Sequence, residues 1–433
     1  MSNATRRGFI QKSILGGLVY IFGTPLLGAQ NAIENSNFKE SFQLKHSTYN
    51  QIDWAKIRAQ FLFPTSRQYL NTASLGPSPR TVVDTISKTI EQLETSCSHG
   101  HHLTEKTHTQ IAAFLNCSPD EIAVIRNATE GMNIIARTLR LKAGDEVIIT
   151  THEHVGGAAP WMALQKDLGI IVKLIDLDLN GETNFERIKA QTTSKTKAIA
   201  FSHITCTNGM KLPVKKLADF CRSKGIYSCV DGAQALGMFP IDLTDLNPDF
   251  YTSSGHKWLF GPKGTGLFFM NKKWIQKLNP VYVGAYSDSK YDLNSLQMEY
   301  RDSVQREEYG TRNTAITLGL GAAIDFITSI GIENVAKRGR ELSNHFRKKL
   351  EQMDSIEIIT PKSPEFSASM LTFRIKNADN LKINQQINSQ YKIRLRGIYE
   401  NNLNSIRVSF AVYNTFKEID NLVSALQEIT KKK

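Results

Sequence analysis

The sequence predicts an α/β fold: a mainly parallel sheet flanked by helices in a large domain, followed by a small α+β C-terminal domain. Three observations predict it. Short apolar, β-type runs alternate with segments of helical period; several runs end in polar or small residues; and the alternation stops near Asn313, where long helical stretches take over. Strands alternating with helices at this spacing make βαβ units and a buried parallel sheet. Ligands of such sheets bind at the carboxyl ends of the strands, so the residues just after each run carry most of the information.

Along the chain, Thr5-Arg6-Arg7-Gly8-Phe9-Ile10-Gln11-Lys12 is a paired-arginine segment ahead of an apolar run, residues 14–27. That run is about 14 residues long, short of the ~20 that span a bilayer. It also contains Gly16, Gly17, Gly23 and Pro25. Residues 1–29 therefore read as an export signal resembling the twin-arginine type, which implies the export machinery as a partner and a periplasmic location. Residues 30–48 read as a polar linker. Strands are expected at 122–125, 146–150, 170–175, 198–201 and 227–230, with helices at 129–139 and 213–223 among them. This gives a large domain over 49–312. The remainder, 313–433, has helices at 315–330 and 334–353, strands at 370–375 and 406–410, and an amphipathic helix at 416–429.

Composition sets outer bounds. The chain has 433 residues, 41% apolar and 22% charged, which excludes intrinsic disorder, and its 28 Gly follow no fibrous repeat. A formal charge of +12 raises nucleic acid, anionic membranes or acidic substrates as partners. The basic residues are interspersed with acids apart from Lys431-Lys432-Lys433, and no helix-turn-helix extension exists, so nucleic acid is not expected. Five scattered Cys without CxxC spacing make neither a disulfide framework nor a zinc ribbon. The Cys97-Ser98-His99-Gly100-His101-His102 cluster lacks a second ligand pair and reads as a polar loop near the site entrance; no metal is expected.

The strand ends carry the chemistry. The run ending at Val230 is followed by Asp231-Gly232-Ala233-Gln234, and the next by Ser253-Ser254-Gly255-His256-Lys257. Alone, Asp231 would serve as a turn former and Lys257 as a surface cation. Together they are what a pyridine aldehyde cofactor needs: an amine for the aldehyde and a carboxylate that keeps the ring nitrogen protonated. These motifs, with Trp258-Leu259-Phe260-Gly261-Pro262-Lys263-Gly264-Thr265-Gly266, resemble the class V aminotransferase group of fold-type I pyridoxal-phosphate enzymes, which includes cysteine desulfurases and isopenicillin N epimerases.

The resemblance implies pyridoxal 5′-phosphate (PLP) as cofactor and a set of roles. Lys257 would bond the aldehyde, Asp231 the ring nitrogen and Gln234 the ring oxygen, while His154 of Thr151-His152-Glu153-His154 would stack on the ring. Ala128, Thr129, Ser254 and His256 would hold the phosphate. Thr311, in Gly310-Thr311-Arg312-Asn313, would reach the phosphate of a neighbouring subunit, which implies a homodimer. Arg407 would clamp the α-carboxylate of a small amino substrate.

Two departures narrow the chemistry. Cysteine desulfurases carry a nucleophilic Cys shortly before the substrate arginine, and residues 395–405 hold none. Where relatives place an Asn near the ring oxygen, this chain has Cys206. The His-Glu-His and Gly-Thr-Arg-Asn forms look closest to the isopenicillin N epimerase-like branch. The expected activity is aminotransferase-type chemistry at the α-amino group of an amino acid or amino-acid-derived metabolite. The alternatives are epimerisation, a C–S or β-elimination lyase, and, from another class, a non-catalytic binder retaining the fold. An exported enzyme of this kind resembles those of siderophore maturation.

Overall fold

A computed structural model describes residues 48–64 and 66–431; the expected signal over 1–29, and all but the last residue of the linker expected over 30–48, lie outside the described residues. The first strand, β1 (Gln68–Tyr69), precedes seven that form the main sheet: β2 (Ile122–Ile125), β3 (Glu146–Thr150), β4 (Ile171–Ile175), β5 (Thr196–Ser202), β6 (Tyr227–Asp231), β7 (Phe250–Ser254) and β8 (Gly266–Met270). Their order is β2-β8-β7-β6-β5-β3-β4. All run parallel except β8, which is antiparallel to both β2 and β7. The strands β2, β3, β7 and β8 are buried at every position, as expected where helices cover both faces. At the edge, β4 exposes Ile171 and Leu174.

The helices on this sheet start and stop on local signals. Asn127 and His154 cap the starts of helices Ala128–Thr138 and Val155–Leu168 by accepting the N–H of Glu130 and of Gly156. Gly169 and Gly225 end helices in the left-handed conformation that glycine adopts at least cost. Apolar residues of helix Ala128–Thr138, such as Met132, Ile134 and Ile135, pack with Val147, Ile149, Phe250 and Phe268 of the sheet in one core.

A hairpin, β9 (Asp288–Asp292) and β10 (Gln297–Tyr300), precedes helices Thr314–Ile330 and Ile332–Leu350. The second sheet is antiparallel. It contains β11 (Ile356–Ile358), β12 (Met370–Ile375), β14 (Arg396–Ile398) and β15 (Ser405–Ser409) in the order β11-β12-β15-β14, with β13 (Ile393–Arg394) beside it in sequence. Leu342, Phe346, Phe373, Val408, Leu422 and Leu426 form its core, covered by helices Ile332–Leu350 and Phe416–Lys431. Leu70 belongs to the same core, and β1 pairs in parallel with β13. The segment ahead of the main sheet is therefore stitched to the smaller one. Among the described residues no single helix is long and apolar enough to cross a membrane.

Candidate active site

The carboxyl ends of the parallel strands open on one cavity of about 460 Å³, a volume suited to a cofactor-sized ligand. Asp231, Gln234, His154, Ala128, Thr129, Ser254, His256 and Lys257 all line it. Chain direction explains the convergence: β2, β3, β5, β6 and β7 run toward the cavity, and each places its last residue or the following turn there.

Asp231 ends β6 and is buried. Its Oδ1 accepts the Ala233 N–H at 2.8 Å, while Oδ2 faces Gly157, where a Cβ would approach it to 3.2 Å. Its register partner on β5 is Ser202, whose hydroxyl donates to Glu153 at 2.6 Å. Glu153 also accepts the Thr150 hydroxyl at 2.6 Å. Burial pushes the Glu153 carboxyl up to about 7, the Asp231 charge adds to that, and the Ser202 and Thr150 hydroxyls oppose it.

Lys257 lies just after β7, in a turn that Gly76 approaches closely. Desolvation lowers the pKa of its ammonium; Asp231 opposes this, and the guanidiniums of Arg407 and Arg396 add to it. The amine is therefore deprotonated more readily than a surface lysine. Gln234 has both ends of its amide engaged, donating to the Ala73 carbonyl at 2.9 Å and accepting the Trp258 indole N–H at 2.8 Å. His154 Nδ1 accepts the Gly156 N–H at 3.0 Å, so the proton of the neutral ring sits on Nε2. Burial and the neighbouring Lys257 keep that ring neutral to lower pH than usual.

At the opposite end the start of helix Ala128–Thr138 presents its first turn, with Ser254 Oγ accepting the Ala128 N–H at 3.1 Å. The second helix begins so close that a Cβ on Gly156 would lie 2.2 Å from Thr129 Oγ1. His256 Nδ1 is buried with no partner, and burial, with Lys257 and Lys263 nearby, holds the imidazole pKa at about 4. A helix start, a hydroxyl and an orphaned imidazole nitrogen suit a phosphate. With the lysine amine and the buried carboxylate, the donor set fits PLP.

Other expected residues stand elsewhere. Arg407, on β15, is wholly buried and does not line the cavity; it donates to the Cys206 carbonyl, to Ser74 Oγ at 2.9 Å and to Asn71 Oδ1 at 3.4 Å. Its register partner, Arg396 on β14, does line the cavity, as do Ser74 and Cys206. Burial raises the Cys206 thiol pKa. Thr311 sits in a separate small cleft with His99, His101 and Tyr286, so the structure of one chain does not bring it to the cofactor cavity. From the 97–102 cluster, His99 and His101 line that cleft, with the His101 ring 4.0 Å from that of Tyr286. Among the described residues no group of metal-type ligands assembles. Sequence reasoning did not single out Arg396, Ser74 or Glu153. The alternation Arg394-Leu395-Arg396, which puts two cations on one face of an extended segment, was the available signal for the first.

Fold and cavity together define a PLP-dependent enzyme of fold type I. The chain belongs to the aminotransferase class-V family, whose model matches residues 68–422, and it is related to the cysteine desulfurases. It is 29% identical to the cysteine desulfurase of Enterobacter sp. (strain 638) over 401 residues, 86% of this chain and 97% of that protein. It is equally identical, 29% over 407 residues, to that of Yersinia pestis (strain Pestoides F), covering 87% and 98%. Among solved structures, the cysteine desulfurase CsdA of Escherichia coli superposes with a TM-score of 0.76 at 24% identity, covering 88% of this chain and 99% of that one. The cystine C–S lyase C-DES, in complex with its product cysteine persulfide, gives 0.78 at 24% identity over 84% and 97%.

Proposed function

We propose that the protein carries out aminotransferase-type chemistry at the α-amino group of an amino acid or amino-acid-derived metabolite. The observation that carries this reading is Lys257, an amine of lowered pKa in the same cavity as the buried carboxylate Asp231. PLP, when bound, supplies an aldehyde and an electron-accepting ring. Lys257 Nζ would hold the aldehyde, and its free amine would serve as the base that takes the substrate α-proton. Asp231 would keep a proton on the ring nitrogen. His154 would cover the ring, its orientation fixed by the Gly156 N–H. The first turn at Ala128 and Thr129, with Ser254 and His256, would hold the phosphate. Arg407, through its hold on Ser74, shapes the place of the α-carboxylate.

The relatives support a second reading, cleavage of a C–S bond, since those named above are cysteine desulfurases and a C–S lyase. Against thiol-mediated sulfur transfer, residues 395–405 contain no cysteine. The cysteine that lines the cavity, Cys206, has a thiol shifted away from ionisation by burial. Two features remain part of the proposal: a homodimer, from the segment around Thr311, and export, from the paired Arg6 and Arg7.

The test is spectroscopic. Purified protein is expected to show the visible band of bound PLP, and Lys257→Ala to lose it while the far-ultraviolet dichroism stays unchanged. Amino acids then convert the cofactor to its amine form with release of a keto acid. Release of sulfide and pyruvate from cysteine, with no amine form, would replace the first reading by the second.

A further inference from the structure

Arg396 and Arg407 face each other directly across β14 and β15. Like charges at opposed positions of an antiparallel pair repel, and the arrangement persists only where each guanidinium has its own partner. Arg407 has neutral ones: the Cys206 carbonyl, Ser74 and Asn71, with its Nε buried and unpartnered. Arg396 has a charged one. Its Nη2 is paired with Glu400 Oε1, and each side chain of that pair keeps 23% of its exposure.

Three details give the pair a meaning. Arg396 lines the cavity, and the carboxylate among the other lining residues is Asp231, the last residue of β6. Glu400 belongs to a short 3₁₀ turn, Glu400–Asn402, followed and interrupted by left-handed Asn401, Asn402 and Asn404, so it is held by a loop rather than by a strand. Glu400 Oε2 is bound only by the Tyr399 N–H, at 3.2 Å, among the described residues. A carboxylate that the chain itself supplies, from a residue that does not line the cavity, thus holds the guanidinium of one that does.

We propose that Arg396 is a specificity-determining residue that receives a second, distal carboxylate of the substrate, displacing Glu400, so that the enzyme selects acidic amino acids or amino-acid residues ending in an acid. This rests on the reading of the cavity as an α-amino-acid site. A neutral side chain leaves the Arg396–Glu400 pair in place. A distal acid exchanges one carboxylate for another, and the half-buried guanidinium is never left without a counter-charge. Arg is suited to this because its planar fork accepts a carboxylate through two N–H groups.

The experiment uses the full PLP-loaded protein. Cofactor conversion is measured with L-glutamate, L-aspartate and L-alanine, and binding of the unreactive diacid glutarate is compared with that of butyrate by calorimetry. Wild type is expected to favour the acidic amino acids and to bind glutarate over butyrate. Arg396→Gln should collapse the L-glutamate to L-alanine ratio of kcat/KM by roughly 30-fold or more, mostly through KM, and should abolish the glutarate preference. Arg396→Lys should recover part of both. Glu400→Gln, which removes the internal competitor, should lower KM for L-glutamate and tighten glutarate. An unchanged substrate ratio in Arg396→Gln, or no glutarate preference in the wild type, overturns the proposal. If no amino acid reacts at all, the broader reading fails, and the glutarate arm still judges Arg396.

Discussion

Gly76 and Lys257 approach so closely that a Cβ on Gly76 would lie 1.8 Å from the Lys257 carbonyl oxygen, and the Gly76 N–H donates to the carbonyl of His256 at 2.7 Å. The backbone that carries the lysine is thus pressed against a segment far away in sequence. Gly76→Ala has no flexible neighbour to displace, because the obstacle is backbone. A loss of roughly 1–3 kcal/mol is expected from such overpacking. Thermal denaturation should show it, together with weakened PLP retention on dialysis. A variant with wild-type melting and full cofactor content would show that the Lys257 turn is not held by this contact.

Glu153 gives stability a pH dependence of known sign. Its carboxyl is pushed up to about 7 from an ordinary 4.5. Between those values the folded chain holds a proton that the unfolded chain has lost. The associated stability is complete below pH 4.5 and disappears as pH rises through 7. Glu153→Gln keeps an acceptor for the Thr150 hydroxyl and the Ser202 N–H, turns the Ser202 hydroxyl from donor to acceptor, and does not ionise. Relative to wild type it should gain on the order of 1–2 kcal/mol between pH 5 and pH 8, discounted for partial exposure. Melting temperatures of both proteins across that range check it; a constant difference would sink the assignment.

Asp249 is a structural anchor rather than a chemical one. It is buried; Oδ2 accepts the N–H and the hydroxyl of Ser228, both at 2.9 Å, and Oδ1 accepts the Trp274 indole at 2.7 Å and pairs with Lys273. Asp249→Ala strands these donors at the amino ends of β6 and β7. The expected cost is about 3–5 kcal/mol, read as a lower denaturant midpoint, and PLP spectra of the remaining folded protein should be normal because the cavity is at the other end of those strands.

Much of the site was legible because a doubly covered parallel strand advertises itself. Asp231 and Ser254 stand at the ends of short β-type runs with Lys257 three residues further on, and in the structure they close β6 and β7. The direction of β8 was not legible in its composition, since Gly266–Met270 is buried throughout like the parallel strands β2 and β3. Its direction follows from the turn after β7, which carries Lys257 and no crossover helix, so the chain must return antiparallel. The place of Arg396 depends on register with Arg407, a pairing between strands separated by a loop, and no local period encodes it. Arg407 was singled out by resemblance, yet its complete burial arises from packing between the two sheets that neither segment reveals alone.

The stitching of β1 to the smaller sheet has a mechanical consequence. Leu70 gives its N–H to the Arg394 carbonyl and accepts the Ser409 N–H, and Gly76 is already bonded to His256. The intervening residues form a strap whose contour cannot exceed about 20 Å, and Ala73 within it is held by Gln234. Any swing of the carboxylate-reading sheet must therefore pull on the lysine turn. Amide protons at Leu70, Gly76 and Ser409 should then open together, as one unit, when the chain breathes.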